Sequence, residues 1–213
     1  MSTVKVKICG ITNAEDANAA VEAGADALGF VLFRESPRYV EAEVVKRVVA
    51  NLPPFVLPVG VFVNEEATVV REMMDACGLA LAQLHGDETA DYCESVGRPV
   101  LRAMRLRDRA SLLGLGEYKG RARVKGFVLD AFSETARGGT GQVADWQLAA
   151  EAAKAVPVIL AGGLTPDNVG EAVRRVRPYG VDVSSGVESV PGKKDHDKIR
   201  AFVRAVRLET STS

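Results

Sequence analysis

Cysteine is scarce in this chain: Cys9, Cys77 and Cys93 are the only three among 213 residues. An odd, sparse set argues against a disulfide framework, and without a CxxC pair or a His/Cys cluster no metal site is indicated. Cys77 and Cys93 fall in helix-like segments and read as small buried hydrophobes. An excess of one charge is also missing. Lys and Arg number 27 against 28 Asp and Glu, for a net charge of −1. The basic residues are dispersed in pairs such as Lys46-Arg47 and Arg174-Arg175. Neither nucleic acid nor a membrane surface is an expected partner. No apolar run approaches the roughly 20 residues needed to cross a bilayer. Met1 to Lys7 is too short and too polar for a secretory signal, so a cytoplasmic location is expected.

What is present is a regular alternation of short apolar runs and helical patterns. The predicted strands are Val4 to Ile8, Ala27 to Phe33, Val56 to Val63, Ala80 to Leu84, Pro99 to Met104, Val124 to Leu129, Pro157 to Leu160 and Val181 to Val183. Between them lie amphipathic segments with start and stop signals. Thr12 with Glu15 three residues on reads as a capping box. Asn64 reads as the cap of a helix through Met73 and Met74, and Thr165-Pro166 as the start of another. Asp108 to about Leu115 is a weak helix, Trp146 to Ala155 a stronger one, and Lys198 to Leu208 closes the chain. Continuous apolar strands separated by helices indicate a parallel sheet covered on both faces. Eight such units close most simply into an α/β (β/α)₈ TIM barrel. The absence of a composition shift predicts one domain over 1–208, with 209–213 a frayed tail.

Three glycine-rich turns mark the last third: Gly138-Gly139-Thr140-Gly141, Gly162-Gly163 and Ser184-Ser185-Gly186. Backbone amides at such turns approach an anion closely, and a strand leading through one into a helix start is a phosphate seat. In a barrel the chemistry gathers where strands end. Those ends carry Cys9, Arg34 to Arg38, Asn64, His85, Arg102 to Arg105, Asp130, Gly162 and Ser184. Cys9 and Asp130 are the two that can exchange protons with a substrate. Cys9 is either a buried thiol or a base, which acts only as thiolate and which nearby cations can favour. Asp130, at the edge of an apolar strand, is either a loop cap or an acid. Arg38 is either a solvated loop residue or a clamp for a carboxylate. His85 has a structural and a functional reading. Trp146 is expected in the core or at the barrel rim, and His196, between Asp195 and Asp197, on the surface.

The order of several motifs resembles a known family. Lys7-Ile8-Cys9-Gly10-Ile11-Thr12, Ser36-Pro37-Arg38, Gln83-Leu84-His85-Gly86, Gly138-Gly139-Thr140-Gly141 with Asp145-Trp146, Leu160-Ala161-Gly162-Gly163-Leu164 and Val181-Asp182-Val183-Ser184-Ser185-Gly186-Val187-Glu188 follow one another through most of the chain. So does Pro191-Gly192-Lys193-Lys194-Asp195. Together they are similar to the phosphoribosylanthranilate isomerases of tryptophan biosynthesis. The resemblance implies a TIM barrel and an Amadori rearrangement of an aminoaldose phosphate, with no cofactor and no metal. It makes Cys9 the general base, Asp130 the general acid and Arg38 the partner of the anthranilate carboxylate. His85, Gly139, Thr140, Gly141, Gly162, Gly163, Asp182, Ser184, Ser185 and Gly186 complete the expected substrate site for a small phosphosugar. The implied assembly is a monomer or a homodimer. One departure is visible: Ala144 stands where the family usually has an aromatic residue before Asp-Trp. The related sugar isomerase of histidine biosynthesis is the nearest alternative, but it uses aspartate at the place of Cys9. A catalytically dead phosphosugar sensor would have no need of both Cys9 and Asp130.

Overall fold

The computed structural model describes residues 3–130 and 142–211. Among these, eight parallel strands close into a barrel in sequence order: β1 (Lys5–Cys9), β2 (Ala27–Val31), β3 (Leu57–Phe62), β4 (Leu81–Leu84), β5 (Val100–Arg105), β6 (Val124–Asp130), β7 (Val158–Ala161) and β8 (Gly180–Val183). The seam is sealed by β1 against β8, with Lys7 opposite Asp182. Helices α1 (Ala14–Glu22), α2 (Ala42–Val49), α3 (Ala67–Cys77), α4 (Ala90–Ser95), α5 (Arg109–Gly114), α6 (Gln142–Ala153), α7 (Val169–Val176) and α8 (His196–Ser211) follow the strands in turn. A short antiparallel ribbon, β9 (Glu188–Val190) with β10 (Lys193–Lys194), lies between β8 and α8. The barrel expected from the alternation is therefore present.

Strand residues alternate between two cores. Outward-facing Val6, Ile8, Leu28, Phe30, Phe62, Leu84, Phe127, Leu129 and Leu160 join the helices in the main core, which also holds Cys77, Cys93 and Trp146. Inward-facing Val59, Leu101, Ala103 and Val128 fill the barrel, and Cys9, Val31 and Val61 form a layer nearer its mouth. Polar side chains interrupt this interior: Lys7, Gln83 and Asp182 are all buried. Arg102 points the other way, into the helix layer. It donates to the Leu84 and Gly86 carbonyls at 2.9 Å each and pairs with Glu88 at 3.1 Å, which pins the loop after β4.

Several helix starts differ from the sequence expectation, and for Thr12 and Asn64 the expected cap is engaged elsewhere. Asn13, not Thr12, caps α1: its Oδ1 accepts from the Asp16 amide at 2.8 Å. The Thr12 hydroxyl instead donates to the Gly192 carbonyl at 2.7 Å. Asn64 adopts a left-handed φ of 51° and accepts from the Asp87 amide at 2.7 Å, joining two loops, while α3 begins only at Ala67. Helix α7 starts at Val169 after Asn168, not at Thr165. His196 is not a free surface residue. Its Nε2 lies 2.9 Å from the buried Asp16 carboxylate and ties the start of α8 to α1. The last helix runs past Leu208 to Ser211.

Candidate active site

The C-terminal ends of the strands surround a cleft of about 340 Å³. It is lined by Cys9 from β1, Gln83 and His85 from the end of β4, Asp130 from β6, Gly162 and Gly163 after β7, and Asp182 through Gly186 at the end of β8. Ser36 and Arg38, from the loop after β2, close one side. The described residues of the expected site thus come together: Cys9, Arg38, His85, Asp130, Gly162, Gly163, Asp182, Ser184, Ser185 and Gly186. Gly139, Thr140 and Gly141 lie outside the described residues, as does the side chain of Ala144.

Two of the glycine turns form one surface. Gly162 and Gly163 both have positive φ, 87° and 64°, which only glycine adopts in succession without strain. Asn168 braces that turn by donating from Nδ2 to the Gly163 carbonyl at 2.9 Å and accepting from the Thr165 amide at 2.8 Å. Gly186 sits so close that a Cβ there would run into the Leu164 carbonyl oxygen. The Ser184 hydroxyl is buried beside these turns without a hydrogen-bond partner among the described residues. Backbone amides and a hydroxyl at adjoining turns are suited to an anion.

On the other side, Arg38 is already held. Its Nε and Nη2 donate to the two Glu188 oxygens at 2.8 and 2.7 Å. Lys194 donates to the same carboxylate at 2.9 Å and to the Ser184 carbonyl at 3.2 Å. Burial pushes Glu188 upward, but the hydrogen bonds from Arg38 and Lys194 outweigh it and hold its carboxyl below the usual range. The Glu188 hydrogen bonds raise Arg38 further, while burial brings Lys194 down against the pull of Glu188. The cluster has two cations for one carboxylate, so a positive charge remains at this edge of the cleft.

The interior wall is charged as well. Lys7 is buried and donates to Asp182 Oδ2 at 2.9 Å. Its burial favours the neutral amine, but Asp182 and Cys9 more than compensate, and the ammonium is stabilised. Burial pushes the Cys9 thiol up, against the pull of Lys7. The depressed thiol that neighbouring cations could have produced is not what the site has. Desolvation lowers His85 below its ordinary 6.5, so its ring is neutral near pH 7, with Nδ1 3.1 Å from Gln83 Nε2. Asp182 Oδ1 and Gln83 Oε1 are buried without partners among the described residues.

Lys7, Gln83, Glu188 and Lys194 are site residues that reading strand ends does not single out. For Lys7 a signal existed: Lys5, Lys7 and Cys9 alternate along one strand, which places Lys7 on the inward face with Cys9.

Comparison with known proteins agrees with this geometry. A profile of N-(5'-phosphoribosyl)anthranilate (PRA) isomerase matches residues 6–205. The chain is 52% identical over 210 residues to the N-(5'-phosphoribosyl)anthranilate isomerase of Pelobacter propionicus, covering 99% of each sequence. It is 54% identical over 202 residues to that of Trichlorobacter lovleyi, covering 94% of this chain and 97% of the relative. Among solved structures it is similar to phosphoribosyl anthranilate isomerase from Thermotoga maritima, at 41% identity and a TM-score of 0.88, over 97% of this chain and all of that one. It is also similar to a phosphoribosyl anthranilate isomerase in complex with reduced 1-(o-carboxyphenylamino)-1-deoxyribulose 5-phosphate, at 40% identity and a TM-score of 0.86, with the same coverage. The barrel, the glycine turns beyond its late strands and these likenesses lead to one assignment: the chain belongs to the N-(5'-phosphoribosyl)anthranilate isomerase family.

Proposed function

We propose that this member of the family rearranges N-(5'-phosphoribosyl)anthranilate to 1-(2-carboxyphenylamino)-1-deoxyribulose 5-phosphate in tryptophan biosynthesis, with Asp130 as general acid and Cys9 as general base. The observation that carries the assignment of roles is the cleft itself. A carboxyl from β6 and a thiol from β1 share one barrel mouth with an anion-suited turn surface and a residual positive charge at Arg38.

The chemistry follows from the substrate. Asp130 gives its proton to the ring oxygen as the C1′–O bond breaks, leaving an iminium between C1′ and the anthranilate nitrogen. Cys9, as thiolate, takes the C2′ proton. The C–H electron pair becomes the C1′=C2′ double bond and neutralises the nitrogen. The resulting enol loses its hydroxyl proton and gains one at C1′, which gives the ketone. Oxidation at C2′ is matched by reduction at C1′, so the sequence needs no external redox partner. Each proton-transfer group contributes roughly 10²–10⁴ in rate. The phosphate rests against Gly162, Gly163, Ser184, Ser185 and Gly186, and Gly139, Thr140 and Gly141, outside the described residues, are assigned to the same group by the family resemblance. The carboxylate lies at Arg38. A sugar hydroxyl donates to Asp182 Oδ1, and the neutral His85 borders the same space. Binding at both remote ends holds C1′ and C2′ in place.

A charged phosphosugar does not diffuse across a bilayer, which fits a cytoplasmic reaction. We also infer a homodimer. Phe55 is 95% exposed at the opposite end of the barrel, beside a mostly apolar cavity of about 440 Å³ that also takes in Leu57 and Tyr179. A Thermotoga maritima relative is described as dimeric. The activity is tested by following loss of phosphoribosylanthranilate fluorescence with purified protein. Turnover supports the reading, and no turnover above the spontaneous rate contradicts it.

A further inference from the structure

We propose that Lys7 is the positioning residue for the base: its ammonium, anchored by Asp182 on the same inward face as Cys9, supplies the counter-charge that lets the thiol act as thiolate. The inference rests on the reading of Cys9 as base. Lys7 and Cys9 are two residues apart on β1 and point into the barrel together. Asp182 is opposite Lys7 in the β1–β8 register and holds its Nζ at 2.9 Å. Lys7 is also the neighbour that most favours the Cys9 thiolate. The space for this is made by the next strand, where Gly29 stands opposite Cys9. A Cβ on Gly29 would lie 2.6 Å from Cys9 Sγ and 3.1 Å from Lys7 Cε, so the thiol and the lysine stem both occupy room a side chain would fill.

The other charged neighbours do not replace Lys7. Asp182, on β8, disfavours the thiolate. Lys194, on β10, favours it less than Lys7 does, and Arg38 is bound to Glu188. His85, facing from β4, is neutral near pH 7, and Asp130, from β6, is a carboxyl that gives no help to an anion. Burial opposes ionisation throughout, and among the neighbouring cations Lys7 favours the thiolate most. A lysine held by a carboxylate cannot swing out of the cleft, and this keeps the charge in place through turnover.

The test is the pH profile of Cys9 alkylation by iodoacetamide, read on the Cys9-containing peptide by mass spectrometry, in the wild type, Lys7→Met and Lys7→Arg. Lys7→Met should shift the profile toward higher pH and slow alkylation about tenfold near neutral pH. Lys7→Arg should restore part of that loss. In the assay, kcat should fall in Lys7→Met with KM little changed. If the orphaned Asp182 prevents Lys7→Met from folding, Lys7→Met combined with Asp182→Asn removes both charges. Its profile should still move upward, since Lys7 acts on the thiol more strongly than Asp182. A wild-type alkylation profile in either folded variant overturns the proposal. The base reading fails separately, through undiminished turnover in Cys9→Ser, a result the alkylation profile does not share.

Discussion

A thiol raised by burial is a reluctant acid and, once ionised, a strong base. Cys9 therefore combines low thiolate population with high proton affinity, and an adjacent ammonium moderates the first without abolishing the second. Serine in its place has a far less acidic hydroxyl, so Cys9→Ser should lose at least about two decades of kcat in the fluorescence assay. Asp130→Asn should lose a similar factor while still binding the reduced product, since the amide cannot donate a labile proton to the ring oxygen. Near-normal turnover in Asp130→Asn would remove that residue from the acid role. Arg38→Ala should act on KM, raising it roughly 10- to 100-fold by removing a charge-assisted contact. At this scale the sequence is partly transparent. Cys9 and Asp130 are visible because they end apolar strands. Lys7 is easily passed over because a lysine near a polar terminus resembles a solvated one, although its alternation with Cys9 places it on the inward face. Glu188 and Lys194 are hidden because their meeting depends on a ribbon no local pattern announces.

The elements that carry these residues are fixed by contacts between loops rather than by caps alone. The turn after β7 and the turn after β8 touch at Leu164 and Gly186. Gly186→Ala forces them apart. It should destabilise the protein by about 1–3 kcal/mol in denaturant melts and raise KM, because the anion seat is made of both turns. The β9–β10 ribbon is likewise bound to the loop after β2 through Glu188 and Arg38. The folded-state carboxyl of Glu188 is held below its ordinary 4.5, so it binds protons less readily folded than unfolded. Its stabilising contribution is complete above about pH 4.5 and is lost as the pH falls through the folded value. Melting temperatures should drop on that acid limb, and Glu188→Gln should lower stability near neutral pH while flattening the limb. Two of the misplaced helix starts share one cause. Thr12 and Asn64 are competent caps by type, but each lies in a βα loop where a long-range partner, Gly192 or Asp87, takes its side chain, while the Thr165 amide is held locally by Asn168.

For the molecule as a whole, the barrel was legible because hydrophobic alternation repeats eight times and parallel strands need helical crossovers. The convergence of ten expected site residues on one cleft follows from that closure, since strand ends distant in sequence become neighbours around a ring. The opposite end is a different matter: exposed Phe55 and the apolar cavity beside it have no signature in the strand pattern. If that end is the dimer contact, Phe55→Asp should shift sedimentation from dimer to monomer with catalysis kept within about twofold, because the active cleft lies at the other mouth.

The central claim is geometric, that thiol and carboxyl address the two ends of one proton-transfer path. A crystal structure of this protein with reduced 1-(o-carboxyphenylamino)-1-deoxyribulose 5-phosphate tests it most directly. Cys9 Sγ should lie within about 3–3.5 Å of the C2′ position and the Asp130 carboxyl at similar range from the sugar oxygen that closed the ring. An analogue seated by its phosphate and carboxylate, yet with either group separated from those atoms by protein or out of reach of one bridging water, would contradict it.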